Sequence, residues 1–168
     1  MEAVEEAKGG IKALLGTDED TTLDKSGRFL LSKKKRERLG DDFAMAIGEL
    51  GCICLYPESR WQERLAEINR TDPMNPGRQE YARLFFGTSD DELSCDSQGR
   101  VVIPSHIRDV VTVKDKVHVI GCFDHIEVWD PQEYREYKKY GDKYGESRRL
   151  ALSNSYSKMK GVAVPASS

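Results

Sequence analysis

An excess of positive charge is the first thing this chain lacks. Its 168 residues carry 26 lysines and arginines against 29 aspartates and glutamates, a net charge of −3. No long-range field therefore draws the molecule as a whole to nucleic acid, and any contact with DNA has to be local. Also absent is an apolar run long enough to cross a bilayer. The first ten residues, Met1 to Gly10, are acidic and have neither the basic start nor the apolar stretch of a secretion signal. The expectation is a cytoplasmic protein without a membrane partner. Cys52, Cys54, Cys95 and Cys122 form no C-x-x-C pair, and His106, His118 and His125 have no metal-ligand spacing. They read as reduced, partly buried thiols and as surface or core histidines, with no metal and no cofactor. Gly9-Gly10 lacks the lysine and hydroxyl residue of a phosphate-binding loop, and no local signature supports a cysteine hydrolase built on Cys95 or Cys122. No catalytic activity is expected.

What the chain does have is one pattern written twice. Asp24-Lys25-Ser26-Gly27-Arg28-Phe29-Leu30-Leu31-Ser32 shares its plan with Asp96-Ser97-Gln98-Gly99-Arg100-Val101-Val102-Ile103-Pro104, at a constant offset of 72 residues. Each copy has a carboxylate before a turn, a glycine where the backbone can take positive φ, an arginine, then a short apolar strand. The echo continues: Arg36 answers Arg108, and after a one-residue insertion Gly48 answers Gly121, Ile53 answers Ile126, Tyr56 answers Trp129 and Trp61 answers Tyr134.

Periodicity and turn signals fill in the rest. The chain divides into an N-terminal arm over 1–19, loosely ordered with at most a weak helix interrupted at Gly9-Gly10; a first repeat over 20–69; a linker and connecting helix over 70–91; a second repeat over 92–140; and a flexible, serine- and base-rich tail over 141–168. In the first repeat, Ser32 is placed to cap a short basic helix from Lys33 to Leu39 that stops at Gly40. Phe43 to Ile47 and Cys52 to Tyr56 read as a hairpin, and Pro57 opens a helix with Trp61, Leu65 and Ile68 on one face. Gln79 to Phe86 reads as the connecting helix. In the second repeat, Val117 to Ile120 and His125 to Trp129 form the matching hairpin, and Asp130-Pro131-Gln132-Glu133 has the pattern of a helix start. Tyr134, Tyr137, Tyr140 and Tyr144 recur at helical spacing, which suits packing better than base stacking.

The doubled motif, together with Leu55-Tyr56-Pro57 followed by Trp61 and with Arg83-Leu84-Phe85-Phe86-Gly87 before the second copy, resembles the MraZ family of bacterial transcriptional regulators over roughly Asp20 to Tyr140. The resemblance implies an α+β fold of two tandem AbrB/MazE-like swapped-hairpin β-barrel modules that form an intrachain pseudo-dimer. It also implies subunits assembled into a ring-like homo-oligomer, with the turn residues of the doubled motif facing double-stranded promoter DNA of the division and cell-wall gene cluster. The expected activity is sequence-specific repression at repeated promoter sites, in the cytoplasm and on the nucleoid. Carried over residue by residue, it implicates Asp24, Lys25 and Arg28 in the first copy and Asp96 and Arg100 in the second. Ser32 where the second copy has Pro104, and Lys35 where it has Ile107, predict a first module that packs less firmly.

The chemistry of these residues suits that role. Arginine's planar fork fits guanine O6/N7 or a phosphate, and an adjacent aspartate orients the fork or accepts from cytosine N4. The alternative is an Asp–Arg ion pair that only holds each turn, and the two are compatible. Lys33, Lys34, Lys35, Arg36 and Arg38 form a basic run suited to phosphate contacts, of which Lys33, Lys34 and Arg36 are the candidates, against the alternative of a solvated helix face. Tyr81, Leu84 and Phe85 are candidates for a subunit contact, against burial in the chain's own core. The rival function is a ring-forming scaffold that binds protein partners without DNA.

Overall fold

Short strands and helices alternate along the chain, as the punctuation by glycine and proline predicts. The computed structural model of the protein describes residues 11–162. The strands are β1 (Leu14–Thr17), β2 (Thr21–Thr22), β3 (Arg28–Leu30), β4 (Phe43–Ile47), β5 (Ile53–Pro57), β6 (Asp90–Leu93), β7 (Arg100–Val102), β8 (Lys116–Phe123) and β9 (Ile126–Trp129). The helices are α1 (Lys33–Leu39), α2 (Glu58–Asn69), α3 (Pro76–Tyr81, continued by a π-helical turn over Ala82–Phe86), α4 (Ser105–Arg108), α5 (Pro131–Tyr140) and α6 (Glu146–Met159). Asp130 caps α5 as its sequence predicts, accepting from the Gln132 and Glu133 amides at 2.9 and 3.2 Å. Ser32 makes no side-chain cap, although α1 begins where expected.

The fold is mixed α+β with antiparallel sheets. One sheet runs β1-β8-β9-β5-β4-β6, with β2 also on β8, and β3 and β7 form a separate two-stranded ribbon. Each repeat's lead-in strand lies against the other repeat's hairpin: β1 and β2 pair with β8, and β6 pairs with β4. The central registers survive exchange of the halves. Arg28 faces Val102 as Arg100 faces Leu30, and Ile53 faces Val128 as Ile126 faces Leu55. Among the described residues the sheet is not closed into a barrel: β1 and β6 end the strand path without pairing to each other.

The sheet is the middle of three layers, so β4 and β5 are buried almost throughout, and their unbroken apolar runs reflect burial on both faces. Towards the ribbon, Phe29, Leu31, Val101 and Ile103 pack with Phe43, Met45, Ile53, Leu55, Ile107, Ile126 and Val128. On the other face Ala44, Ala46, Cys54, Tyr56 and Trp129 meet Trp61, Tyr81, Phe85, Leu152 and Met159 from the helices. Tyr81 and Phe85 are thus buried within this chain, stacked with centroids 5.4 Å apart, and are not available for a subunit contact.

The described parts of the arm and the tail hold regular structure. The expected weak N-terminal helix lies outside the described residues up to Gly10, and beyond it the arm is a strand: Leu14 is buried and Leu14–Thr17 pairs with β8. The tail expected to be flexible forms α6. Gly77 makes this possible, since a Cβ there would collide with the Met159 amide and lie 2.5 Å from Lys158 Cβ. Leu152, Ser155 and Met159 of α6 are buried. Arg148 donates from Nε and Nη2 to the Gly48 and Ile47 carbonyls at 2.9 and 3.1 Å, closing the end of the β4–β5 hairpin. Residues 163–168 lie outside the described region.

Candidate nucleic-acid interface

The two Asp-x-x-Gly-Arg turns are copies of one hydrogen-bonded structure. In the first, Asp24 Oδ1 accepts from the Ser26 and Arg28 amides, both at 2.9 Å, while Oδ2 accepts from Arg28 Nε at 2.9 Å. In the second, Asp96 Oδ1 accepts from the Gln98 and Arg100 amides at 2.9 Å and Oδ2 from Arg100 Nε at 2.8 Å. The Gly27 and Gly99 amides donate to the Asp24 and Asp96 carbonyls, with φ of +80° and +79°, a conformation that favours glycine. The backbone amide of Arg28 or Arg100, followed by the guanidinium, holds each aspartate below its ordinary pKa against the opposing effect of burial. Each ion pair runs through Nε, at 2.9 Å in the first turn and 2.8 Å in the second.

The ribbon then brings the two arginines together. Directly opposed residues of an antiparallel pair point to the same side and alternate along each strand. Phe29 and Val101 oppose each other and point inward, at 1% and 0% exposure. Arg28, Leu30, Arg100 and Val102 therefore share the outer face. Leu30 and Val102 are exposed there at 54% and 45%. Lys25, Ser26, Ser97 and Gln98 crown the turns at the ends of the ribbon and are exposed. The outcome is one outward surface carrying two arginine forks, two exposed aliphatic side chains and two polar turn tips.

The basic run of α1 divides by position. Lys33 and Lys34 are exposed, Lys33 with only a loose 3.9 Å pair to Glu37. Lys35 is buried, 5% exposed, and its Nζ bonds Asp18 Oδ1 at 2.8 Å and the Leu15 carbonyl at 3.2 Å. It belongs to the core, where Ile107 stands in the second half, and it ties α1 to the arm. Arg38 donates to the Ala13 carbonyl. Arg36 donates from Nε to the Leu31 carbonyl at 2.9 Å and lies over the opposite turn, where a Cβ on Gly99 would be 2.5 Å from its Cζ. Arg108 does the reciprocal thing: it covers Gly27, whose added Cβ would lie 2.6 Å from Arg108 Nε, and its Nη1 reaches the Lys25 carbonyl at 3.5 Å. Sequence reasoning left Arg108 out of the site although the repeat pairs it with Arg36. That pairing was the signal that would have found it.

Of the remaining candidates, Tyr134, Tyr137 and Tyr144 pack on Trp129 with centroids 5.4, 5.3 and 6.0 Å away, so they serve the fold. His118 stacks on Tyr134 and meets Asp20 at 2.7 Å. His125 lies on the helix-covered face of the sheet, away from the ribbon, beside Cys54, Cys122, Asp124 and Glu127.

With this geometry in view, comparison with known proteins is specific. The family model described as "MraZ protein, putative antitoxin-like" matches twice, over residues 14–83 and 84–156. A protein of Nocardioides sp. named transcriptional regulator MraZ is 35% identical over 115 residues, 68% of this chain and 79% of its own length. Proteins of the same name from Salinispora arenicola and Clostridium acetobutylicum are 34% and 30% identical, over 68% and 70% of this chain and 80% and 82% of theirs. Two tandem matches that cover most of the described residues, with one copy of the turn inside each, mean that the chain belongs to the MraZ family.

Proposed function

We propose that this protein is a sequence-specific DNA-binding transcriptional regulator, a repressor, that reads promoter DNA with the outer face of the β3–β7 ribbon. The observation that carries the proposal is the placement of Arg28 and Arg100 on one exposed face, each aimed by its own aspartate. Preset forks bind at a lower entropic cost, because the side chain is already ordered before the base or phosphate arrives. In this reading Arg28 and Arg100 contact bases, Asp24 and Asp96 orient them, and Lys25, Lys33 and Lys34 bind phosphates. Arg36 acts with Arg108 by holding the turns in shape. The names of the relatives support regulation, and the resemblance extends it to the division and cell-wall gene cluster and to the nucleoid.

A ring-like homo-oligomer completes the proposal. One ribbon spans few base pairs, so affinity at a promoter requires several copies acting together. The open strand path supports head-to-tail assembly, since among the described residues β1 and β6 end the path with different edges, and heterologous contacts of that kind form a ring where the rotation between subunits closes. The net charge of −3 favours a second reading, a ring scaffold that binds proteins without DNA. Fluorescence anisotropy with promoter DNA carrying one, two or three short direct repeats separates the two. The regulator binds the longer repeats about 10²–10⁴-fold more tightly than the single one, whereas a scaffold treats every DNA alike.

A further inference from the structure

The face of the sheet away from the ribbon gathers soft and borderline metal-binding side chains that the sequence keeps apart. The β8–β9 hairpin supplies Cys122, His125 and Glu127, whose donor atoms lie within 4.8 Å of one another. Cys54 on β5 is the register partner of Glu127, so its thiol rises on the same side of the sheet. Cys52, Cys54 and Glu127 form a second such group, with Glu127 common to both. We propose that Cys54, Cys122, His125 and Glu127 form a binding site for a thiophilic divalent cation, Zn²⁺ being the best match.

Several features suit that occupant. His125 Nδ1 is 2.6 Å from Asp124 Oδ1, and its Nε2 is 3.1 Å from Glu127 Oε2. A carboxylate on one ring nitrogen orients a metal-binding histidine and fixes the lone pair on the other. A tetrahedral zinc ion with bonds of about 2.0–2.3 Å sets neighbouring donors roughly 3.3–3.8 Å apart, so Cys122, His125 and Glu127, whose donors lie within 4.8 Å of one another, close in on the ion, and Cys54 reaches it from the second group that shares Glu127. Gly48 leaves room for the sulfur: a Cβ there would lie 2.7 Å from Cys54 Sγ. A cavity of about 540 Å³ between sheet and helices reaches Cys54, His125 and Glu127 and gives an ion a way in.

Cys54 comes from the first repeat and the other three donors from the second, so a bound ion would join the halves on the face opposite the arginines. This site does not depend on the DNA-binding proposal. The test uses the full chain, reduced and stripped with a chelator. Competition against a chromophoric chelator is expected to give one Zn²⁺ per chain, with a raised thermal midpoint. Co²⁺ in its place is expected to give thiolate charge-transfer bands and the strong visible bands of a tetrahedral site. Cys54→Ser and Cys122→Ser should each weaken zinc by about 100-fold or more, and Asp124→Asn by about 10–100-fold, while Cys95→Ser changes nothing. Absence of stoichiometric uptake, a Co²⁺ spectrum without sulfur bands, or wild-type affinity in either cysteine variant overturns the site. The Co²⁺ spectrum of the unaltered protein decides the matter even where a variant fails to fold.

Discussion

The two halves agree in their turns and differ in the helices that follow. The Asp24 and Asp96 turns share their hydrogen bonds to within 0.1 Å. The next helix is seven residues long and basic in the first half, and four residues long in the second. At the equivalent buried position the first half has Lys35, paired with Asp18, and the second has Ile107, fully apolar. Two different solutions therefore seat the same helix under the same turn. The turns are alike because each is closed by local bonds within five residues. The helices are free to differ because any side chain that fills the space and satisfies its polar atoms will serve.

Breaking both turns should have the largest effect. Arg28→Ala and Arg100→Ala are each expected to lower operator affinity by about 1–3 kcal/mol and to do so equally, the double variant losing the sum. Anisotropy titrations measure this, and a strong effect from one arginine with none from the other would show that the repeat is symmetric in form only. The fold should survive, since both side chains face outward.

Next come the seats of the helices. Lys35→Ala should destabilise by about 3 kcal/mol, because it strands Asp18 and empties a buried site. Ile107→Ala should cost a similar amount, and Lys35→Met clearly less, since it refills the volume with an apolar chain. Urea unfolding gives the three values. A Lys35→Ala cost below about 1 kcal/mol would mean that the first helix is loosely held after all.

A smaller effect is expected at the exposed lysines found only in the first half. Replacing Lys33 and Lys34 with glutamine should weaken operator and random DNA alike and reduce the salt slope by about 1 for every phosphate no longer neutralised. An unchanged slope would assign them to solvent.

The smallest effect is acid sensitivity. Asp24 and Asp96 have lowered pKa values in the folded protein, so their contribution is complete above the ordinary value of 3.8 and disappears as pH falls through the lower folded value. Acid unfolding below about pH 4 should therefore be shallower in the Asp24→Asn, Asp96→Asn double variant. An identical acid limb would mean that these carboxylates ionise alike in the folded and unfolded chain.

The sequence by itself determined the two turns, both hairpins, the capped start of α5 and the choice of arginine and aspartate at the candidate site. All of these depend on neighbours a few residues away, where glycine, proline and alternating apolar residues act directly on the backbone. Only the tertiary structure decided which half each lead-in strand joins, that Lys35 is core and not interface, that Arg36 and Arg108 each brace the other's turn, and that α6 docks through Gly77. It also placed Cys54 opposite Glu127. Those outcomes depend on residues 17 to 109 positions apart meeting, most of them across the pseudo-symmetric pairing. Spacing along a chain carries no record of such a meeting, because the free energy that selects it comes from burial and polar satisfaction between segments and not from the conformational preference of either one.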